Sequence, residues 1–466
     1  MKQFGATSGP DRRAAISNMT HTEDSSNRGA PNILYVSPAF VPRCDSEAFC
    51  SAKFVTALSD CGAEVNVFTC PGYGMQAVDG SSSWQTVRDH IVDFPVPSHK
   101  DRVQSLRMAV RFQTRSFARW IGAAVEEARR LHRQRPFDLV YSRSLPMFGH
   151  IAGYWCAQEL DLPWIANVND PWDWHLFPVG KVDKAQIPGA ISSFWMRRTF
   201  RRADLITYPS DRMHAYHLGV SGIPHDALII PHVGGVSSWY HTSQTERPSQ
   251  IFNLVHAGKL GTNDSTGRSA TPLLQGLRLF LQDLPEAREL TKLTFVGPPD
   301  KATESLVSEL QLESIVHSVG RVTYEESLQH VRAATVCVLV EAEMSEGIFL
   351  PSKLVDYLSA RKPILALSPG VGVANDMAQS GGILRVDVGD VEAVRRTIGS
   401  LYLDFRSGTL GRRAPSQEQV NQFNPEILAK KFLTAFYNLD RSKKPQGRSW
   451  TDRGGRTDAT VSANAK

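Results

Sequence analysis

The sequence predicts an α/β protein built from two doubly wound, Rossmann-like domains in tandem, facing each other across a central cleft. Three observations carry this. Apolar strand-like runs alternate with helix-like stretches, the alternation stops at a polar segment near residue 240 and then restarts, and 466 residues are too many for a single core. A hydrophobic content of 41% with 21% charged residues supports globular domains over disorder.

The polar lead, residues 1–30, reads as disordered. "NILYVSPAF" is a buried-strand signal, "SEAFCSAKFVTALSDCG" a helix and "AEVNVFTC" a second strand, the order that gives parallel pairing with helices on the faces. The rhythm returns in "FDLVYSRS", "PMFGHIAGYWCAQELDL", "PWIANVND" and "ADLITYPS", so a first domain spans 31–245. "SSWYHTSQTERPSQ" reads as a linker. A second domain, 251–425, follows with the strand "IFNLVHAGKLG", the helix "PLLQGLRLFLQDL", the strands "KLTFVGPP" and "IVHSVGRV", the helix "YEESLQHVRAA" and the strand "TVCVLVEA". "NPEILAKKFLTAFYNL" gives a terminal helix at 426–440, and 441–466 reads as a disordered tail.

Composition narrows the function. No run reaches the roughly 18 apolar residues of a membrane span, and the N-terminus has no apolar core for a signal peptide. The expectation is a cytoplasmic protein, peripheral at most on the inner face of the membrane. Cys44, Cys50, Cys61, Cys70, Cys156 and Cys337 are scattered without a CxxC pair, which indicates neither a zinc site nor a disulfide framework. Walker-type GxxxxGK[ST] is absent, as is GxGxxG after the first strand, which removes the central part of an ATPase or dinucleotide dehydrogenase reading. Nothing points to nucleic acid as a partner.

Open parallel sheets bind ligands beyond their strand C-termini, so the cleft is the place to look. "EGIFLPSKLVDYLSARKPILAL", residues 346–367, reads as loop, helix, turn and strand, with Pro351 and Ser352 as start signals and Leu354, Tyr357 and Leu358 as the buried stripe. Lys353 and Asp356 then lie one turn apart. They are either a surface ion pair or part of an anion site, since a lysine at a helix N-terminus opposes the helix dipole unless an anion joins it. Nearby, "HAGKLGTNDSTGRSATPLL" offers a glycine-rich strand-to-helix loop in which Gly258 permits close backbone approach and Lys259 and Arg268 supply positive charge. Two cationic loops in one domain suit a pyrophosphate.

These segments resemble family 4 retaining glycosyltransferases. "PSKLVDYLSARKPILAL" is similar to the donor-binding signature PSKxxEYxAxGKPIL, "HAGKLGTNDSTGRSATPLLQGL" to the segment before it, and "FDLVYSRSLPMFGHIAGYWCAQELDLPWIANVNDPW" to an N-terminal stretch ending in R-D-x-W. The resemblance implies the GT-B fold and transfer of a sugar from a nucleotide diphosphate sugar, in polysaccharide or glycoconjugate synthesis. It implies that Lys353, with Arg268 or Lys259, meets the donor diphosphate, and that Asp356 stands where a glutamate binds ribose. The glutamate eight positions earlier is Ile348 here, so backbone amides from Gly347 to Leu350, with Ser352, are expected at the donor. Asp170, before Trp172, is the catalytic candidate on the acceptor side, or an Asx turn before Pro171. No cofactor and no metal are implied, and no DxD is present; catalysis would rest on cations that stabilise the departing diphosphate.

Between Lys100 and Arg135 ten Lys or Arg stand against three Asp or Glu. Arg107, Arg111, Arg115 and Arg119 are spaced to line one side of a helix, with Leu106, Val110, Phe117, Trp120 and Ile121 close by. This is either a solvated arginine face or an interfacial helix on an anionic membrane, serving a lipid-linked or other glycan acceptor. "FWMRRTFRRAD" repeats the mixture. Two rival functions remain, a nucleotide-sugar epimerase on the same scaffold and a non-catalytic glycan-binding or scaffold protein.

Overall fold

In the computed structural model, residues 29–70, 73, 77–96, 102–172, 189–235, 250–260 and 267–439 are described. The expected linker, most of the lead and the tail lie outside them, as does the middle of the glycine-rich loop, residues 261–266.

Two six-stranded sheets form, each wholly parallel among its described pairs. The first has the order β2-β1-β3-β4-β5-β6, from β1 (Asn32–Val36), β2 (Glu64–Phe68), β3 (Leu139–Arg143), β4 (Trp164–Asn167), β5 (Leu205–Tyr208) and β6 (Ala227–Ile229). The second has the order β12-β11-β10-β7-β8-β9, from β7 (Phe252–Ala257), β8 (Thr291–Val296), β9 (Val316–Ser318), β10 (Val336–Val340), β11 (Ile364–Leu367) and β12 (Ile383–Val386). Strand order reverses between β1 and β3 and between β7 and β10, so each sheet opens a crevice there. Helices cover both faces, and β1, β3 and β10 are therefore buried at every residue. The alternation of β1 divides it cleanly: Leu34 and Val36 enter one core, and Ile33 and Tyr35 the other. The two-domain expectation holds. Sequence reading passed over β6, β12 and the helix Val391–Arg406.

The terminal helix, Pro425–Tyr437, does not stay with the second domain. It returns to the first, packing on the helix Ser46–Asp60 with Phe432 against Phe54 and Tyr141 at ring-centroid separations of 5.4 and 5.0 Å. Leu428, Ala429, Phe432 and Phe436 complete the core beneath Ile33 and Tyr35.

The arginine-rich stretch is not one helix. A helix runs Arg102–Arg111, the chain turns through Gln113 and Phe117 at φ of 53° and 58°, and a second helix runs Ala118–Gln134. Of the apolar neighbours expected at a surface, Trp120 and Ile121 belong to the core and Phe117 packs against it, stacked on Phe148 at 3.8 Å. Leu106 and Val110 are exposed.

Candidate active site

The second crevice brings the two expected loops together. β7 ends in His256 and Ala257 and turns at Gly258, whose φ of 98° favours glycine. A side chain there would sit 3.0 Å from Lys353 Nζ. Gly297, also left-handed at φ 136°, presses from behind, its absent Cβ 3.0 Å from the Gly258 carbonyl oxygen. The turn is thus fixed between β8 and the helix Ser352–Ser359. That helix buries Leu354, Val355, Tyr357 and Leu358, and the Tyr357 hydroxyl accepts from the Ala257 amide at 2.8 Å. The same anchoring leaves Lys353 over the turn, 3.3 Å from His256 Nε2.

Lys353 and Asp356 share a helix but not a partner. Asp356 Oδ1 accepts from Lys53 Nζ of the first domain and from the Tyr324 hydroxyl, both at 2.9 Å, and is buried. A ribose hydroxyl would therefore share that oxygen or turn to Oδ2. Ser352 is not the cap expected of it. Pro351 holds the cap position and Ser352 is the first helical residue, with no side-chain capping bond. Nor is the Gly347 amide open to a sugar, since it donates to the Val371 carbonyl at 2.8 Å in a bridge with Gly372.

Arg268 lies near the start of the helix Thr271–Asp283, and its charge reaches Glu341, just beyond β10, and Asp170 of the first domain. Lys259 is exposed, and its charge reaches Cys44 in the loop after β1. Burial pushes the Glu341 carboxyl up to about 7 despite the opposing pull of Arg268 and Lys353.

On the first domain's wall, Asn169 follows β4 and donates its Nδ2 to Glu47 Oε2 at 3.0 Å and to the Ser144 carbonyl at 3.1 Å. Glu47 stands in the first turn of a helix capped by Asp45, whose Oδ1 accepts from the Ala48 amide at 2.9 Å. Burial raises the carboxyls of both Glu47 and Asp170; Asp170's charge raises Glu47 further, while Arg143 opposes both shifts. Arg143, at the end of β3, is 5% exposed, and its Nε and Nη2 have no hydrogen-bond partner among the described residues. Two acids that resist joint ionisation thus stand within reach of a buried guanidinium, and Asp170 also feels the charge of Arg268 from the second domain. The cationic side suits a leaving diphosphate. The acid side suits hydroxyl groups, which can donate to carboxylates.

Structure therefore groups Gly258, Lys353 and Arg268 at one wall and sets Asp170 opposite. Reading by sequence missed His256, Glu341, Glu47, Arg143 and Lys53. All five lie inside segments read as strands or helices, Glu47 and Lys53 in "SEAFCSAKFVTALSDCG", Arg143 in "FDLVYSRS", His256 in "IFNLVHAGKLG" and Glu341 in "TVCVLVEA", and nothing local marked them as site residues.

Residues 49–232 match the family described as glycosyl transferase 4-like domain. Among solved structures, sucrose-phosphate synthase from Thermosynechococcus elongatus aligns over 88% of this chain and 99% of its own at 18% identity and a TM-score of 0.57. HepE of Anabaena, solved in complex with UDP and glucose, aligns over 88% and 100% at 14% identity and a TM-score of 0.60. A putative UDP-N-acetylglucosamine 2-epimerase from Listeria monocytogenes aligns over 90% and 98% at 11% identity and a TM-score of 0.52. These identities speak for the shared fold, and the epimerase shows that the fold alone does not select the reaction. A search of curated proteins gave no match.

Proposed function

We propose, from the premise that this chain is a GT-B glycosyltransferase carrying a glycosyl transferase 4-like domain, that it is a retaining enzyme moving a sugar from a nucleotide diphosphate sugar to a glycan or lipid-linked acceptor. The observation that supports the donor is the Lys353 ammonium held over the Gly258 turn at the second crevice, with Arg268 near. Charge grows on the leaving phosphate as the bond from the anomeric carbon breaks, and fixed cations there favour the transition state over the bound donor. The acceptor hydroxyl attacks from the same face, and its proton passes to the departing phosphate oxygen, so no protein nucleophile is required. Asp170 and Glu47 orient the acceptor by accepting from its hydroxyls. Asp356 retains a ribose role in this reading, through the oxygen that Lys53 leaves available.

The acceptor surface is the helix Arg102–Arg111. Val103, Leu106 and Val110 are 58%, 62% and 69% exposed at three- and four-residue spacing, beside exposed Arg107 and Arg111. Phe194, 44% exposed, stands on the helix Gly189–Arg202, which is tied to the same corner by a Trp195 Nε1 bond to the Gln113 carbonyl at 3.0 Å. No described helix is long and apolar enough to cross a membrane, and this mixture suits peripheral contact with anionic lipid.

A panel of nucleotide sugars with sugar and lipid-linked acceptors tests the reaction. The expected result is a glycoside whose anomeric configuration by proton NMR equals that of the donor. An inverted product overturns the retaining mechanism, and a donor converted to its epimer without acceptor moves the protein to the epimerase class.

A further inference from the structure

His256 is fully buried as the penultimate residue of β7, and its two ring nitrogens have different neighbours. Nδ1 lies 2.9 Å from the Val338 carbonyl oxygen on β10. A carbonyl only accepts, so Nδ1 carries the proton. In the neutral ring Nε2 then offers a lone pair, and Lys353 Nζ, a donor without acceptor capacity, stands 3.3 Å from it. Burial first and the Lys353 charge second hold the ring well below its ordinary range, against the opposing pull of the Val338 and Lys259 backbone groups, which keeps it neutral. The imidazole is thereby clamped from β10 on one edge and turns a fixed acceptor toward the helix Ser352–Ser359 on the other.

We propose that His256 is a positioning residue for Lys353: its clamped ring accepts from the ammonium and aims it at the Gly258 turn, where a nucleoside diphosphate lies. This rests on the donor site proposed above. A lysine side chain has four rotatable bonds and loses much rotamer freedom when it must meet a phosphate in one place. Anchoring it before the ligand arrives removes part of that loss, as preorganisation does in general. Geometry supports the direction of aim, since Nζ is within 3.0 Å of the place a Cβ would occupy at Gly258. Tyr357, one turn further along the same helix, fixes the Ala257 amide between His256 and Gly258, so turn and lysine are held by one helix.

The test measures UDP binding to the full chain by calorimetry for wild type, His256→Phe, His256→Gln, Lys353→Ala and the double variant His256→Phe/Lys353→Ala, with a urea midpoint for each. Phe keeps the ring and loses the acceptor, whereas Gln keeps an acceptor oxygen. His256→Phe is expected to weaken UDP about tenfold, the worth of one charge-assisted hydrogen bond, with His256→Gln closer to wild type. Because His256 acts through Lys353, the double variant should bind no more weakly than Lys353→Ala. Additive losses in the double variant, or unchanged UDP binding in His256→Phe, overturn the proposal while leaving the donor site in place. If wild type binds neither UDP nor ADP nor GDP, the donor reading falls and this inference with it. Should His256→Phe fail to fold, nitrogen NMR of the wild-type ring decides. The proton is expected on Nδ1, with an Nε2 resonance that moves in Lys353→Ala, and an indifferent Nε2 refutes the contact.

Discussion

Replacing Lys53 by Met should damage a protein whose ordinary surface lysines can be replaced at little cost. The Lys53 side chain is 1% exposed and that of Asp356 11%, and their atoms meet at 2.9 Å across the two domains. Methionine fills a similar volume, so packing is largely kept and the charge alone is removed. Asp356 then keeps one neutral donor, the Tyr324 hydroxyl at 2.9 Å, in a place where water is scarce. Removing one partner of a buried pair costs ~3–5 kcal/mol, and the surviving hydroxyl bond puts the expected loss at the lower end, about 3 kcal/mol. Urea unfolding followed by tryptophan fluorescence measures it, and small-angle scattering reports whether the domains also swing apart. The companion variant Lys53→Met/Asp356→Leu removes both charges and should recover most of the loss, because an apolar pair replaces a buried ion pair at little net cost. A single variant within about 0.5 kcal/mol of wild type, the range of ordinary surface substitutions, would refute the reasoning. So would a double variant as damaged as the two single changes summed.

Three further outcomes follow from the site. Lys353→Ala should lower turnover by on the order of a hundredfold or more with its urea midpoint preserved, and wild-type rates would remove it from the leaving-group site. Glu341 is held protonated up to about 7 in the fold, so the native state keeps a proton that the unfolded chain gives up above its ordinary value of 4.5. Its contribution is then full below that value and is lost as pH rises toward 7, and the urea midpoint of Glu341→Gln should fall less over that interval than that of wild type. Identical profiles would show that Glu341 ionises normally. Reversing Arg107 and Arg111 to Glu should abolish salt-sensitive sedimentation with anionic vesicles while donor hydrolysis persists, whereas a wild type that never sediments would remove the membrane surface.

The sheets were legible because strands covered on both faces become unbroken apolar runs, as in "NILYV" and "VCVLV". The two cationic loops were legible for a local reason too, since a proline, a lysine and glycine-rich turns sit at strand ends. What escaped is long-range. Lys53 lies in "CSAKFV" among apolar neighbours, and its partner is 303 residues away. Tyr324, Asp79 and Glu325 meet in the same way: Asp79 Oδ2 accepts from the Tyr324 amide at 2.8 Å, and Glu325 accepts from the Ser82 and Ser83 amides at 3.1 and 2.7 Å. The break in the arginine stretch escaped for the opposite reason. Gln113 and Phe117 adopt left-handed backbone without the glycine or asparagine that usually announces it, and Phe117 is held there by its stack on Phe148. Within the site, no sequence neighbour marks Glu47, because Asn169 and Asp170 are brought beside it by β4 from more than 120 residues away.

The return of the helix Pro425–Tyr437 has a consequence for the order in which the molecule is made. Its first domain is discontinuous in sequence, beginning at β1 and finished by Phe432 and Phe436 after the whole second domain has intervened. During synthesis the face of the first sheet that carries Ile33, Tyr35 and Tyr141 is covered early only in part, by the helix Ser46–Asp60, and the rest of its cover has to wait until nearly the last of the described chain has left the ribosome. A nascent chain halted anywhere in the second domain would thus expose a patch that the finished protein never shows. It would be a customer for chaperones, and a graft that exchanged only residues 251–424 between related chains would leave this seam to be matched at both ends.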